Sequence, residues 1–192
     1  MLRVARLLAL ITAILSVNCA EPPHKEMNQA QGAIDAARAA GADKFAAAEL
    51  TAAVDALKRS EQAATDGDYR QALSHAMDGR ERAQNAAKMA VDSRADARGQ
   101  AERAISEVAT LLSRAQTELK NTELARVNGK TLRGPRNTVV AAEEMLQEAR
   151  TALKAEEYAA VTKALNGAAS ELQAALTEID AAASPRPAVR KR

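Results

Sequence analysis

Cysteine, histidine and paired carboxylates are the side chains in this sequence whose chemistry could make a site, and their spacing decides what each can do. Histidine occurs twice, at His24 and His75, and cysteine once, at Cys19. A metal centre needs converging nitrogen, sulfur or carboxylate ligands. Cys19 and His24 lie in an N-terminal leader and tether while His75 falls in mid-helix, so no ligand set is expected. Glu143-Glu144 and Glu156-Glu157 are adjacent carboxylate pairs. Neighbouring helical residues point about 100° apart and do not converge as a general acid and base must; near helix N-termini they are expected to favour the dipole. No Gly-rich phosphate loop and no nucleophile elbow occurs. The expectation is a protein without catalytic residues, metal or cofactor.

Composition narrows the field further. Aromatic residues make up 2% of 192 residues, with no Trp, one Phe and two Tyr, and alanine carries most of the 47% hydrophobic fraction. A methyl side chain buries little apolar area but is the best helix former. The chain is therefore expected to be all-α and elongated, built from antiparallel hairpins around one long central helix, with alanine-rich seams resembling a coiled coil and no thick core. The formal charge of +2 comes from 27 basic against 25 acidic residues. Without Arg3 and Arg6 of the leader it is zero, and Arg186, Arg190, Lys191 and Arg192 crowd the C-terminus, which leaves an acidic body. The pI near 8.8 thus does not mark a nucleic-acid binder, because no basic face serves phosphate neutralisation.

The four basic tail residues form a candidate contact for an anionic surface such as phospholipid, lipopolysaccharide or peptidoglycan; a solvated tail is the equal alternative. At the other end, Arg3 and Arg6 precede an apolar run from Leu7 to Leu15 that is too short to span a bilayer. Leu15-Ser16-Val17-Asn18-Cys19 resembles a bacterial lipobox, with Asn18 departing from the usual small residue. A lone cysteine at this place is what a diacylglycerol anchor needs. Residues 1–18 then read as a lipoprotein signal and 19–26 as a tether. Ala20 stands where lipoproteins retained in the inner membrane resemble one another in carrying Asp, which points to the periplasmic face of the outer membrane. A plain secretory signal, cut after Cys19 or Ala20, is the alternative and would leave the protein soluble in the periplasm or secreted.

Between tether and tail, apolar periodicity predicts helices over 27–40, 46–65, 69–124, 135–154 and 156–183, with 184–192 as a disordered basic tail. Gly41 is a natural helix stop, and Asp66-Gly67 breaks the pattern so that Asp68 can cap the next helix. Past Tyr69, small residues recur every seven at Ala76, Ala83, Ala90, Ala97 and Ala104, then Leu111, with companions at Leu73, Ala87, Ala101, Val108 and Ala115. That heptad seam predicts a long helix, about 85 Å at 1.5 Å per residue, with Gly79 and Gly99 as the places where it would bend. Asp55 and Arg59 have the spacing of a helical ion pair.

A shift of 89 places Tyr69 on Tyr158, Leu57 on Leu146 and Ala53 on Ala142. The hairpins 46–91 and 135–180 read as one repeated unit, in which Gly67, Asp68, Tyr69 and Tyr158 are turn residues and each tyrosine fills the gap where alanine-rich helices diverge, a ligand contact being the alternative. In the first half Ala40-Gly41-Ala42, Glu49-Leu50 with Ala53 and Leu57, Gly67-Asp68-Tyr69 with Ala72, and Ala76, Ala83 and Ala87 resemble a bacterial family of exported proteins, domain of unknown function 4398, over residues 27–92. The resemblance implies an envelope lipoprotein and brings no catalytic residues. The hairpins also resemble tetratricopeptide units weakly. Two roles stay open: a structural or adaptor protein that pairs with itself or an envelope partner through helix contacts, and a tetratricopeptide-like module that cradles a peptide.

Overall fold

The computed structural model describes residues 21–184. Its elements are all helices: α1 (His24–Ala39), α2 (Ala42–Phe45), α3 (Ala47–Thr65), α4 (Tyr69–Leu124), α5 (Arg133–Lys154) and α6 (Tyr158–Ala183). The fold is all-α and bundle-like, as expected, and α4 is a single helix of 56 residues. Two compact units divide at Ser93 and Arg94. Unit 1 holds α1, α2, α3 and the first part of α4; unit 2 holds the rest of α4 with α5 and α6.

Several boundaries differ from the expected ones. Helix α1 starts at His24, three residues ahead of Met27, and takes in part of the stretch expected as tether. The prolines do not oppose this, because the first N–H groups of a helix have no intrahelical partner and proline lacks only an N–H. Their carbonyls accept instead: Pro22 O from His24 N–H at 2.8 Å and Pro23 O from Met27 N–H at 3.0 Å. Gly41 ends the segment with φ +89°, and the single-turn α2 beyond it is unannounced by any periodicity. Its last residue, Phe45, packs against the unit 1 core. Helix α5 opens at Arg133, two residues before Pro135, which still lies in the first turn, and α6 opens at Tyr158 rather than 156.

Unit 1 is seamed by small side chains. Ala30, Ile34 and Ala37 of α1, Leu50, Ala53 and Leu57 of α3, and Ala83, Ala86 and Ala90 of α4 form one buried cluster. Gly79 belongs to the same face, and it is a packing site, not a bend. A Cβ there would stand 3.3 Å from the Ala53 carbonyl oxygen and 3.3 Å from the Leu57 nitrogen, so α4 lies against α3 backbone to backbone. Gly99 also lies inside the continuous helix, and a Cβ there would meet only the Arg103 guanidinium, at 3.4 Å.

The strict heptad does not hold along α4. In unit 1 the buried positions are Ala72, Ala76, Ala83, Ala86 and Ala90, while Leu73 is exposed; in unit 2 they are Ala101, Ala104, Val108, Leu112, Ala115 and Leu119, with Leu111 only half-buried. A straight α-helix drifts by about 20° per heptad from a seven-residue repeat. The added four-residue step from Val108 to Leu112 takes up that drift. Asp55 likewise pairs with Lys58 at 3.5 Å, and Arg59 reaches Asp78 of α4 at 3.7 Å.

The second unit is built from larger side chains at matched places. With the shift of 89, Ala72, Ala76, Ala83 and Ala90 fall on Val161, Leu165, Leu172 and Ile179, all fully buried, and Gly79 falls on Ala168. At about 0.8 kcal/mol per buried CH₂, each such exchange gives the α5–α6 hairpin a stronger seam than its counterpart.

The two glycines of α4 therefore predict opposite outcomes. Gly99→Ala is expected to raise stability by about 0.5–1 kcal/mol through helix propensity alone. Gly79→Val is expected to cost about 1–3 kcal/mol by forcing α4 off α3. Urea unfolding of the two variants checks both; a neutral Gly79→Val would refute the close approach.

Candidate functional site

The turn residues singled out by the sequence lie at two reversals of the chain, and both reversals have one backbone design. After α3, Gly67 N–H bonds Ala64 O at 3.2 Å and Asp68 N–H bonds Ala63 O at 2.9 Å; after α5, Glu156 N–H bonds Leu153 O at 3.2 Å and Glu157 N–H bonds Ala152 O at 3.0 Å. These are paired Schellman bonds, offset by 89 residues throughout. The pivot residue is left-handed in each, Gly67 at φ +79° and Glu156 at φ +61°. The same motif closes α4, where Arg126 at φ +58° bonds Glu123 O and Val127 bonds Thr122 O.

The side chains around the two matched turns differ. At the first, Asp68 Oδ1 accepts the Gln71 backbone N–H at 3.0 Å and its Oδ2 accepts from Gln71 Nε2 at 2.9 Å. That backbone bond holds the Asp68 carboxyl below its ordinary 3.8. Ser60, fully buried, donates from Oγ to the Ala72 carbonyl at 2.7 Å and so ties α3 to α4 just past the turn. At the second turn Ala149 and Val161 take the places of Ser60 and Ala72, and Glu157 makes no capping bond. Tyr69 is half-buried, whereas Tyr158 is 5% exposed, so the gap-filling role fits the second copy more fully.

What the second turn has instead is charge. Arg94 of α4 pairs with Glu156, and its guanidinium is raised above its ordinary value by the hydrogen bond to Glu156 and, after it, the one to Tyr158. Arg98, one turn on, is raised by its bond to Glu102 at 2.8 Å. Beside this group an open groove of about 430 Å³ runs between α4 and α6, lined by Ala97, Gln100, Tyr158, Thr162, Lys163 and Asn166. Its walls offer amide, hydroxyl and ammonium groups, with no carboxylate paired for proton transfer.

Other polar groups serve packing. Glu143 accepts from Gln116 of α4, and Arg136 grips Glu123 through Nε and Nη2 at 3.0 and 2.8 Å. In unit 1, Arg82 joins Asp78 at 2.9 Å to Glu49 at 3.5 Å. Among the described residues no three His, Cys, Asp or Glu side chains stand close enough to share a metal ion, and no buried side-chain polar atom lacks a partner. No helix among them is long and apolar enough to cross a membrane. Cys19 and the tail residues Arg186, Arg190, Lys191 and Arg192 lie outside the described residues. The cross-helix ion pairs had no sequence signal, since pairs 13 to 62 residues apart leave no periodic trace.

The turns generate two predictions. Glu156→Gly relieves a left-handed backbone that costs an L-residue about 1–2 kcal/mol and is expected to be at least as stable as the natural chain despite losing the Arg94 pair. Glu156→Ala keeps the strain and loses the pair, so it should melt below both in thermal denaturation. For Asp68 the folded value is depressed, so its contribution is full above the ordinary carboxylate range and is lost as pH falls through the lowered value. The melting temperatures of the natural chain and Asp68→Asn should differ by a constant amount above pH 5 and converge on acidification below 4. Comparison with protein-family models, with curated protein sequences and with solved structures finds no match.

Proposed function

We propose that this chain is a non-catalytic, lipid-anchored protein of the bacterial cell envelope, held at the periplasmic face of the outer membrane and acting through helix–helix contact as a structural or adaptor element. The observation that carries the reading is Cys19: it is the chain's only cysteine, it follows an apolar leader, and helix α1 opens just beyond it at His24. A thioether-linked diacylglycerol at that position would join a membrane directly to a folded body.

Three features support the role given to the body. Its buried polar side-chain atoms all have hydrogen-bond partners within the described residues. Its open groove beside Tyr158 lacks converging acid and base groups. The small-residue seam of unit 1 shows that this sequence favours close helix approach, the property a helical partner or second copy would use. The resemblance of residues 27–92 to domain of unknown function 4398 is in keeping with such a role, and the basic tail adds a contact for an anionic envelope surface.

Cells expressing the natural chain and a Cys19→Ala variant, labelled with a fatty-acid analogue, test the anchor. The natural chain is expected to carry the label and sediment with outer membrane, and Cys19→Ala to lose the label and move to the soluble periplasmic fraction. An unlabelled natural chain, or a variant that stays membrane-bound, would overturn the reading.

A further inference from the structure

At the end of unit 1 where α1 begins, α4 exposes an apolar pair. Leu73 is 37% and Met77 50% exposed, whereas their neighbours Ala72 and Ala76 are fully buried. The two lie one turn apart on one face of α4. That face borders α1, because Arg80, seven residues beyond Leu73 and on the same side, donates from Nη1 to Gln29 Oε1 of α1 at 2.8 Å. The helices α1 and α4 run parallel here, since Ala30, Ile34 and Ala37 ascend α1 within the same cluster as Ala83, Ala86 and Ala90 of α4. Counting back from the Gln29–Arg80 bond, His24 is five residues down one helix and Leu73 seven down the other. At 1.5 Å per residue their heights differ by only about 3 Å.

Cys19 precedes His24 by five residues, a stretch that spans at most about 18 Å when fully extended. With Cys19 as the lipid anchor, a reading on which this inference rests, the bilayer surface lies within that distance of the first turn of α1, at the end of unit 1 that also carries Leu73 and Met77. We propose that the Leu73–Met77 face of α4 is a membrane-docking patch, its two apolar side chains entering the headgroup region of the bilayer that holds the anchor. Lys25 and Arg70 are exposed at this end, which also carries Glu26, Asp66 and Asp68, so the contact rests on the apolar pair and not on net charge. Two side chains bury too little area to hold a protein to a membrane alone. A tether of five residues keeps the patch at an effective concentration in the millimolar range, where a weak contact suffices to orient the body.

The absence of tryptophan from the chain makes single-Trp probes clean. Leu73→Trp, Met77→Trp and, as a control farther along α4 within unit 1, Val91→Trp at a side chain 58% exposed are each prepared from Cys19 to the C-terminus. Each is coupled through Cys19 to a maleimide lipid in phosphatidylglycerol-containing vesicles. Val91 lies 18 residues, about 27 Å, beyond Leu73 along the helix, so brominated lipids should quench the Leu73→Trp and Met77→Trp emission at least twofold and leave Val91→Trp unchanged. Equal quenching at all three positions, or none at the first two, would overturn the patch. Circular dichroism identical to the natural chain confirms that each variant folds, and Met77→Trp, at the more exposed site, stands in should Leu73→Trp unfold. Because the lipid is attached chemically, this outcome is separate from the fatty-acid labelling of Cys19 in cells: a natural chain without label refutes the anchor, whereas an anchored chain with unquenched probes refutes only the patch.

Discussion

Unit 1 depends on how closely α3 and α4 approach. An alanine seam offers one methyl group per contact, and dispersion contacts fall away within an ångström of extra separation. Such a seam holds only where the backbones themselves come near. Gly79 is where this is achieved: with no side chain, it lets α4 settle against the Ala53 carbonyl and the Leu57 amide. The buried alanines above and below, Ala72, Ala76, Ala83 and Ala86, need that spacing to touch anything. Ser60 then adds a directional bond to the Ala72 carbonyl, which a wider gap would break. The cost of this residue in helix propensity is offset by the approach of α4 to α3 that its missing Cβ permits.

The second hairpin shows the same backbone solved by other means. Its turn repeats the Schellman bonds of the first, yet the pivot is Glu156 instead of Gly67. A left-handed glutamate is unfavourable by itself, and here its side chain is engaged by Arg94, while Tyr158 is buried directly behind it. The seam beyond carries Val161, Leu165, Leu172 and Ile179, side chains large enough to fill a wider interhelical gap. One copy combines small cores, a capping aspartate and a buried hydroxyl; the other combines large cores with ion pairs. A shared turn geometry does not oblige the two seams to carry side chains of one size.

Periodicity made the long elements legible. The unbroken α4 and the ends of α3 and α6 followed from apolar spacing, and the repeat followed from matching Tyr69 to Tyr158. The features that stayed hidden did so for physical causes. The start of α1 was masked by Pro22 and Pro23, because proline is hostile to a helix interior but indifferent at its entrance. The seam of α4 was misread at Leu73 and Leu111 because a heptad template ignores the drift of a straight helix. The role of Gly79 could not be seen from α4 alone, since it is defined by atoms of α3. Positive φ at Arg126 and Glu156 was equally hidden, because neither residue type favours it. The candidate site was legible only as turn residues; the Arg94–Glu156 pair joins positions that no local pattern connects.

Between Ala90 and Ala101, α4 has no fully buried residue. A free helix of that length would be marginal in water. Here both ends are already helical, fixed by the Ala83–Ala90 seam on one side and the Ala101–Val108 seam on the other, so the cost of nucleation does not arise. The segment persists on propagation alone, helped by Ala95 and Ala97 and by the Arg98–Glu102 pair at 2.8 Å. Propensity of this kind resists local opening far less than packing does, and Gly99 lowers it further. Arg94 lies within this stretch, and its bond to Glu156 is the cross-helix tie found there. The ion pair that offsets the strained turn thus also restrains a stretch of the long helix without a fully buried residue, which gives one exposed contact two structural duties within unit 2.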